Sequence, residues 1–226
     1  MKRSEINQIL RESDAFIRSF GYRLPPFAYF TPERMLSSET TDIRARGMGW
    51  DITDYGKGNF ADMGLFLFTV RNGRLADLKQ GRGMLYAEKI MISRKQQISP
   101  MHRHNLKAED IINRGGGTLV LELFASDESG AIDRDATVTV PVDGITRRFA
   151  AGGRLALEPG ESVTLLPGVW HAFWGEGADV LVGEVSTVND DRSDNIFEQD
   201  IPRFTDVQED ETRLHLLVSD YPDDHQ

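Results

Sequence analysis

The chain has no cysteine, so disulfides and thiol chemistry are both excluded. It has no apolar run approaching the roughly 18–20 residues that span a bilayer. Its opening, Met1-Lys-Arg-Ser-Glu-Ile-Asn7, leads into an amphipathic pattern and lacks the apolar core of a signal peptide. The cytoplasm is the default location, and no membrane partner is expected. Positive charge is also short: 26 Lys and Arg face 36 Asp and Glu, a formal net charge of −10. That balance argues against a nucleic-acid surface and against a highly phosphorylated substrate, and it suits a small neutral molecule. There are no internal repeats, low-complexity tracts or linkers. What is present is 226 residues, 39% hydrophobic and 27% charged. This is one ordinary globular domain, or one domain with an extension, able to bury a substantial core.

Residues 4–20 carry Ile6, Ile9, Leu10, Phe16, Ile17 and Phe20 at helical spacing. Ser4 is the expected N-cap and Gly21 the expected stop. The two prolines exclude a helix over Leu24-Pro-Pro-Phe-Ala-Tyr-Phe30. Thr31-Pro32-Glu33 then has a helix-start signature, and short helices fill residues 32–47. From Gly49 the chain changes to short β-forming runs separated by Gly- and Asp-rich turns. The runs are Leu65–Val70 before an Arg71-Asn72-Gly73 turn, Leu85–Ser93, Thr118–Phe124, Val138–Val142, Gly144–Phe149, Arg154–Leu157, Ser162–Leu166, His171–Trp174 and Asp179–Val185. Residues 187–213 are polar loop, and Leu214–Val218 is expected as a last strand. The expected plan is a helical flank over residues 1–48 packed on an all-β body over residues 49–226, a sandwich or barrel, as one structural unit.

Chemistry concentrates in Ser99–Gly117. His102 and His104 alternate on an expected strand, so both imidazoles point to one face. A turn near Asn105-Leu106 would bring Glu109 back beside them, with a triple glycine turning the chain behind it. His171, after a Pro167-Gly168 turn, is the further imidazole a divalent metal needs. His215 and His225 have no such context and read as structural or solvated. Lys107 shares Glu109's face; it can stabilise an anionic oxygen, or carry a proton if its pKa is lowered. Glu184 stands mid-strand in phase with Val180 and Val182, and a carboxylate facing a β interior is costly without a partner or a task. Lys89 is in phase with Ala87 and Met91 and so a candidate for the cavity. Asp190, Asp191, Asp194 and Asn195 crowd the loop beyond Glu184, and Asp190 is taken with Lys89 as a substrate contact.

His102, His104, Glu109 and Gly116, followed by Gly160, Gly168 and His171, resemble the two motifs of the cupin superfamily. The match departs at Gln96, Pro167 and Gly175, none of which is a metal ligand. The resemblance implies a cupin jelly-roll barrel with a metal held by His102, His104, Glu109 and His171. Cupins host many activities, so the fold does not fix the function. A metal beside a carboxylate and a lysine suits proton transfer next to a carbonyl, as in aldose–ketose isomerisation. Tyr86–Lys89, Pro100–His102, Glu109–Gly117, Gly168–His171, Glu184–Asp190 and the opening Lys2–Phe27 look like the D-lyxose isomerase family. That resemblance implies a Mn2+-dependent homodimer interconverting D-lyxose and D-xylulose, often also D-mannose and D-fructose. It supports Lys107 and Glu184 in proton transfer or substrate contact. An Fe2+-dependent cupin oxygenase and a non-enzymatic sugar-binding cupin are the alternatives, since Mn2+, Fe2+, Co2+ and Zn2+ all tolerate these ligands.

Overall fold

The structure, a computed structural model, describes residues 1–222. His225, expected to be solvated in a frayed tail, lies outside the described residues. Helix α1 (Arg3–Ser19) forms where Ile6, Ile9, Leu10 and Ile17 share one face, and all four are buried. Gly21 ends it with φ +74°. Its start differs from expectation. Ser4 lies inside the helix, and Asp210 supplies the cap, accepting from the Ser4 amide at 2.9 Å and from its hydroxyl at 2.8 Å. A cap from so far along the chain leaves no local signature. The stretch expected to be non-helical instead forms a 3-10 turn, Pro26–Tyr29, because Pro26 at its first position has no amide to leave unpaired. Thr31 caps α2 (Pro32–Met35) by accepting from the Arg34 amide, and α3 (Thr41–Ala45) completes the flank.

The body comprises β1 (Gly49–Thr53), β2 (Leu65–Asn72), α4 (Leu75–Gln80), β3 (Tyr86–Ser93), β4 (Ser99–His104), β5 (Glu109–Ser126), β6 (Ile132–Asp133), β7 (Val138–Val142), β8 (Ile145–Phe149), β9 (Gly153–Leu157), β10 (Ser162–Leu165), β11 (Trp170–Thr187) and β12 (Asn195–Phe197). The Asn72-Gly73 turn opens into α4 before β3 begins. Asp143 and Gly144, both with positive φ, close the β7–β8 hairpin in two residues.

Strands β5 and β11 are 18 residues each and pair antiparallel along most of their length. Their halves have different outer neighbours. Residues 109–116 of β5 and 180–187 of β11 lie in a sheet ordered β1-β2-β3-β11-β5-β10-β7-β8. Residues 118–124 and 170–176 lie between β9 on one side and β4 with β12 on the other. The two long strands therefore belong to both sheets. The triple glycine is the bend that permits this, not the turn that was expected. Gly115 and Gly116 have φ +143° and +103°. A Cβ on Gly116 would stand 2.1 Å from the Asp179 carbonyl oxygen, opposite a register shift in β11. Only glycine allows so close a backbone approach. His171–Trp174 and Asp179–Val185 are likewise two parts of one strand.

Alternation along the strands sorts the core. Phe66, Phe68, Ile90 and Ile92 pack outward against α1. Leu67, Met91, Val180 and Val182 face the other sheet. Leu214–Val218 is not a strand. It makes one bridge, Leu217 to Trp50, before a 3-10 turn at Val218–Asp220. The residues on either side of Leu214–Val218 strap α1: the guanidinium of buried Arg3 meets Glu209 at 2.8 Å and Asp220 at 2.7 Å. The result is a mostly antiparallel β-body carrying N-terminal helices. No helix among the described residues is long and apolar enough to cross a membrane.

Candidate active site

Strand β4 presents His102 and His104 on one face, and β11 pairs His171 directly with His102. The ring centroids of His102 and His171 are 4.1 Å apart; His104 lies 5.3 Å from His102 and 5.8 Å from His171. One nitrogen from each ring falls within 4.8 Å of the others. His102 Nδ1 sits 2.8 Å from the Pro100 carbonyl oxygen, and His171 Nδ1 3.1 Å from that of Val169. A carbonyl only accepts, so Nδ1–H donates in both rings and Nε2 keeps its lone pair. The Nε2 of His171 is buried without a hydrogen-bond partner. A buried lone pair of this kind suits a divalent cation.

Glu109, the first residue of β5, has Oε1 3.4 Å from His104 Nε2 and 3.2 Å from His171 Nε2. Burial lowers His102 well below the usual imidazole range, with help from His171 and His104. Burial likewise lowers His104, joined by Lys107. Burial alone would raise Glu109, but Lys107 and His104 outweigh it and hold the carboxyl well below its ordinary range. Neutral imidazoles and an ionised carboxylate are the forms that bind a divalent cation.

From Glu109 a chain of alternating charges crosses the interior. Lys107 Nζ lies 2.7 Å from Glu109 Oε2 and 3.0 Å from Glu184 Oε1. Lys89 stands opposite Glu184 in the β3–β11 register, with Nζ 3.5 Å from the same Oε1. Lys89 also donates to Asn189 Oδ1 at 2.6 Å and lies 3.5 Å from Asp191 Oδ1. Asp191 Oδ2 is 3.4 Å from Arg203 Nη2, which donates to Asp51 Oδ2 at 2.8 Å. Burial alone would lower Lys107, but Glu109, Glu184 and Asp191 outweigh it, and its pKa is raised. Of the two tasks open to this lysine, the setting supports a fixed ammonium and not a proton carrier with a lowered pKa.

Asp191 and Arg203 line one cavity with the lysines, the carboxylates of Glu109 and Glu184 and the three imidazoles, and its remaining wall includes Leu65, Met91, Phe173 and Phe197. His102, His104, Lys89, Lys107, Glu109, His171 and Glu184 all reach it. Asp190 does not line this cavity. Its carboxylate accepts from the Arg192 and Ser193 amides and the Ser193 hydroxyl, shaping the loop that delivers Asp191 instead. Of the two neighbours it is Asp191 that lines the cavity, because a loop has no period to fix which side chain turns inward. Asp51, Tyr55 and Arg203 were not foreseen. Tyr55 takes φ +52°, its amide donating to Thr53 Oγ1 and its hydroxyl 3.2 Å from Ser99 Oγ. Arg203 lies in a stretch without any periodicity. His215 is structural: it stacks on Trp50 at 5.8 Å, with Nδ1 3.0 Å from the Phe30 carbonyl oxygen.

A family model described as D-lyxose isomerase matches residues 1–221. A D-lyxose/D-mannose isomerase of Serratia proteamaculans is 47% identical, with 98% of each chain covered. One of Escherichia coli O157:H7 is 45% identical, again over 98% of each. Among solved structures, Cellulomonas parahominis L-ribose isomerase with L-psicose superposes with a TM-score of 0.61 over 92% of this chain and 98% of that one, at 14% identity. That likeness concerns the fold, which is cupin-like.

Proposed function

The chain belongs to the D-lyxose isomerase family, and from that premise we propose that it interconverts D-lyxose and D-xylulose, and D-mannose and D-fructose, at the histidine-lined cavity. The observation that carries the chemistry is Glu184: a carboxylate 3% exposed, between two ammonium groups, beside three converging imidazoles. Such a group is costly to bury unless it has work to do.

His102, His104, His171 and Glu109 would hold a divalent cation, which we take to be Mn2+. Bound there, it supplies a Lewis acid for the sugar carbonyl. The open-chain sugar lies with its carbonyl end toward the imidazoles. Glu184 takes the proton from carbon 2 and returns it to carbon 1, while the proton of the carbon-2 hydroxyl passes to the carbon-1 oxygen, so that the sugar goes through a cis-enediol and ends as the ketose with its atoms conserved. Lys107, kept cationic, donates to the oxygen on which negative charge develops. Lys89 steadies Glu184 from its other side and reaches the substrate's polar edge. Asp191 and Arg203 face the remaining hydroxyls. We take the working form to be a cytoplasmic homodimer, as the family resemblance implies. The oxygenase and the non-enzymatic sugar-binding readings are not favoured, because the curated relatives are isomerases.

Protein stripped of metal and then given Mn2+ should form ketose from D-lyxose and D-mannose. In deuterated water, label should enter carbon 1 of the ketose and carbon 2 of recovered aldose. Failure to form ketose with any divalent cation overturns the proposal.

A further inference from the structure

We propose that Asp194 is a positioning residue that turns the lone pair of His104 Nε2 toward the cavity by accepting the proton on its Nδ1. The inference rests on the reading above that the three imidazoles hold a divalent cation.

His104 differs from its two companions. His102 and His171 have their Nδ1 atoms against backbone carbonyl oxygens, which fix their tautomers. His104 Nδ1 is buried and has no hydrogen-bond partner. The acceptor near it is Asp194 Oδ2, at 3.8 Å. For Nε2 to offer a lone pair, the ring proton must sit on Nδ1. The competing tautomer places it on Nε2, where Glu109 Oε1 waits at 3.4 Å and the lone pair is lost to a ligand. Two carboxylates thus compete for one ring proton, and the side that wins decides whether His104 can ligate. A movement of about 1 Å brings Asp194 into hydrogen-bond range of Nδ1.

Asp194 is placed for this by the fold. It is buried and immediately precedes β12, whose Asn195 pairs with His104 itself. Its Oδ1 accepts from the amides of Asn105 at 3.1 Å and Leu106 at 2.8 Å, and its Oδ2 from that of Lys107 at 2.9 Å. One side chain therefore gathers the turn between His104 and Lys107 and faces the imidazole at its start. Nothing in a purely structural turn requires the carboxylate to stand beside Nδ1. A carboxylate behind a ligating imidazole raises its basicity and fixes its orientation.

The test reads tautomers and affinity, not turnover. In the metal-free wild type, nitrogen-15 NMR of the imidazoles should show His104 with its proton on Nδ1. Asp194→Asn keeps the shape of the side chain but sets an amide NH2 opposite that proton. In this variant His104 should switch to Nε2–H, His102 and His171 should keep Nδ1–H, and Mn2+ affinity by calorimetry should fall about 10- to 100-fold. Thr187→Val loosens the same segment, because Thr187 Oγ1 accepts from the Ala108 amide at 3.2 Å. It should leave both the tautomer and the affinity unchanged. An unswitched His104 with Mn2+ affinity within twofold of wild type overturns the assignment, as does equal loss in both variants. If Asp194→Asn does not fold, the wild type still decides. Loaded with diamagnetic Zn2+, it should show a protected, low-field Nδ1–H at His104, and a freely exchanging one refutes the role. The tautomer is readable even if no sugar is turned over, so failure of the isomerase reading is distinguishable from failure of this one.

Discussion

The space between the two sheets is filled in two opposite ways by the same strands. One part is hydrocarbon: Leu119, Leu121, Leu123, Leu155, Leu157 and Val163 are all 2% exposed or less. The other holds Lys89, Lys107, Glu109 and Glu184, each 3% exposed. β5 begins with Glu109 and runs on to Leu123; β11 carries Val180 and Val182 before Glu184. Alternation alone therefore decides that a residue faces inward, and its chemistry decides what the interior becomes. Hydrocarbon there gains stability simply by leaving water. Buried ions regain what desolvation costs only when well paired, and a hydrophobic replacement of the set is often neutral or stabilising. The charged half is thus better explained by chemistry than by stability, and substitutions in the two halves should fail in different ways.

The largest effect is expected at the imidazoles. His104→Ala should lose bound Mn2+ and reduce turnover on the order of a thousandfold or more. Metal analysis with initial rates checks this, and normal metal content would remove His104 from the ligand set. Glu184→Gln comes next. It should retain metal and lower kcat by roughly 10²- to 10⁴-fold, the range for loss of a general base. Near-normal turnover in that variant would take the base role from Glu184. Leu121→Ala breaks the hydrocarbon half instead. It should cost about 2–5 kcal/mol in denaturant unfolding, as large-to-small core changes do. The kcat of the protein that remains folded should hold. A catalytic defect at Leu121 larger than its stability defect would erase the contrast between the halves.

The contrast also explains how much could be read from sequence. His102 and His104 were legible because a strand has a period of two, and His171 because a Pro-Gly turn sets where its strand begins. The burial of Glu184 and Lys89 was legible for the same reason, since each interrupts an inward apolar series. Asp191 was visible only as one of four polar residues, Asp190, Asp191, Asp194 and Asn195, crowding one loop, because a loop has no period to say which of them turns inward. Arg203 and Asp51 meet across 152 positions of chain, a contact that no local pattern announces. The glycines at 115–117 were visible but not their task. A glycine run marks a special backbone, and only the partner strand shows that it is a bend inside one strand and not a turn between two.

The smallest effect tests the boundary between surface and interior. Glu209 straps α1 through Arg3, whose hydrogen bond lowers its carboxyl to about 2. A carboxyl depressed in the folded state contributes its stability above its unfolded pKa, near 4.3, and loses it as pH falls toward the folded value. Because the Glu209 side chain is 43% exposed, solvent screening keeps this contribution under about 1 kcal/mol. Urea midpoints of the wild type and Glu209→Gln should therefore differ at pH 6, converge between about pH 4 and 2, and coincide below. A difference that persists at the acid end would mean that packing, and not charge, holds the strap. Asp191 should behave otherwise. Burial alone would raise its carboxyl, but Lys89 and Arg203 outweigh it and hold it below the ordinary range, so its charge is fixed by buried partners and not by an exposed one.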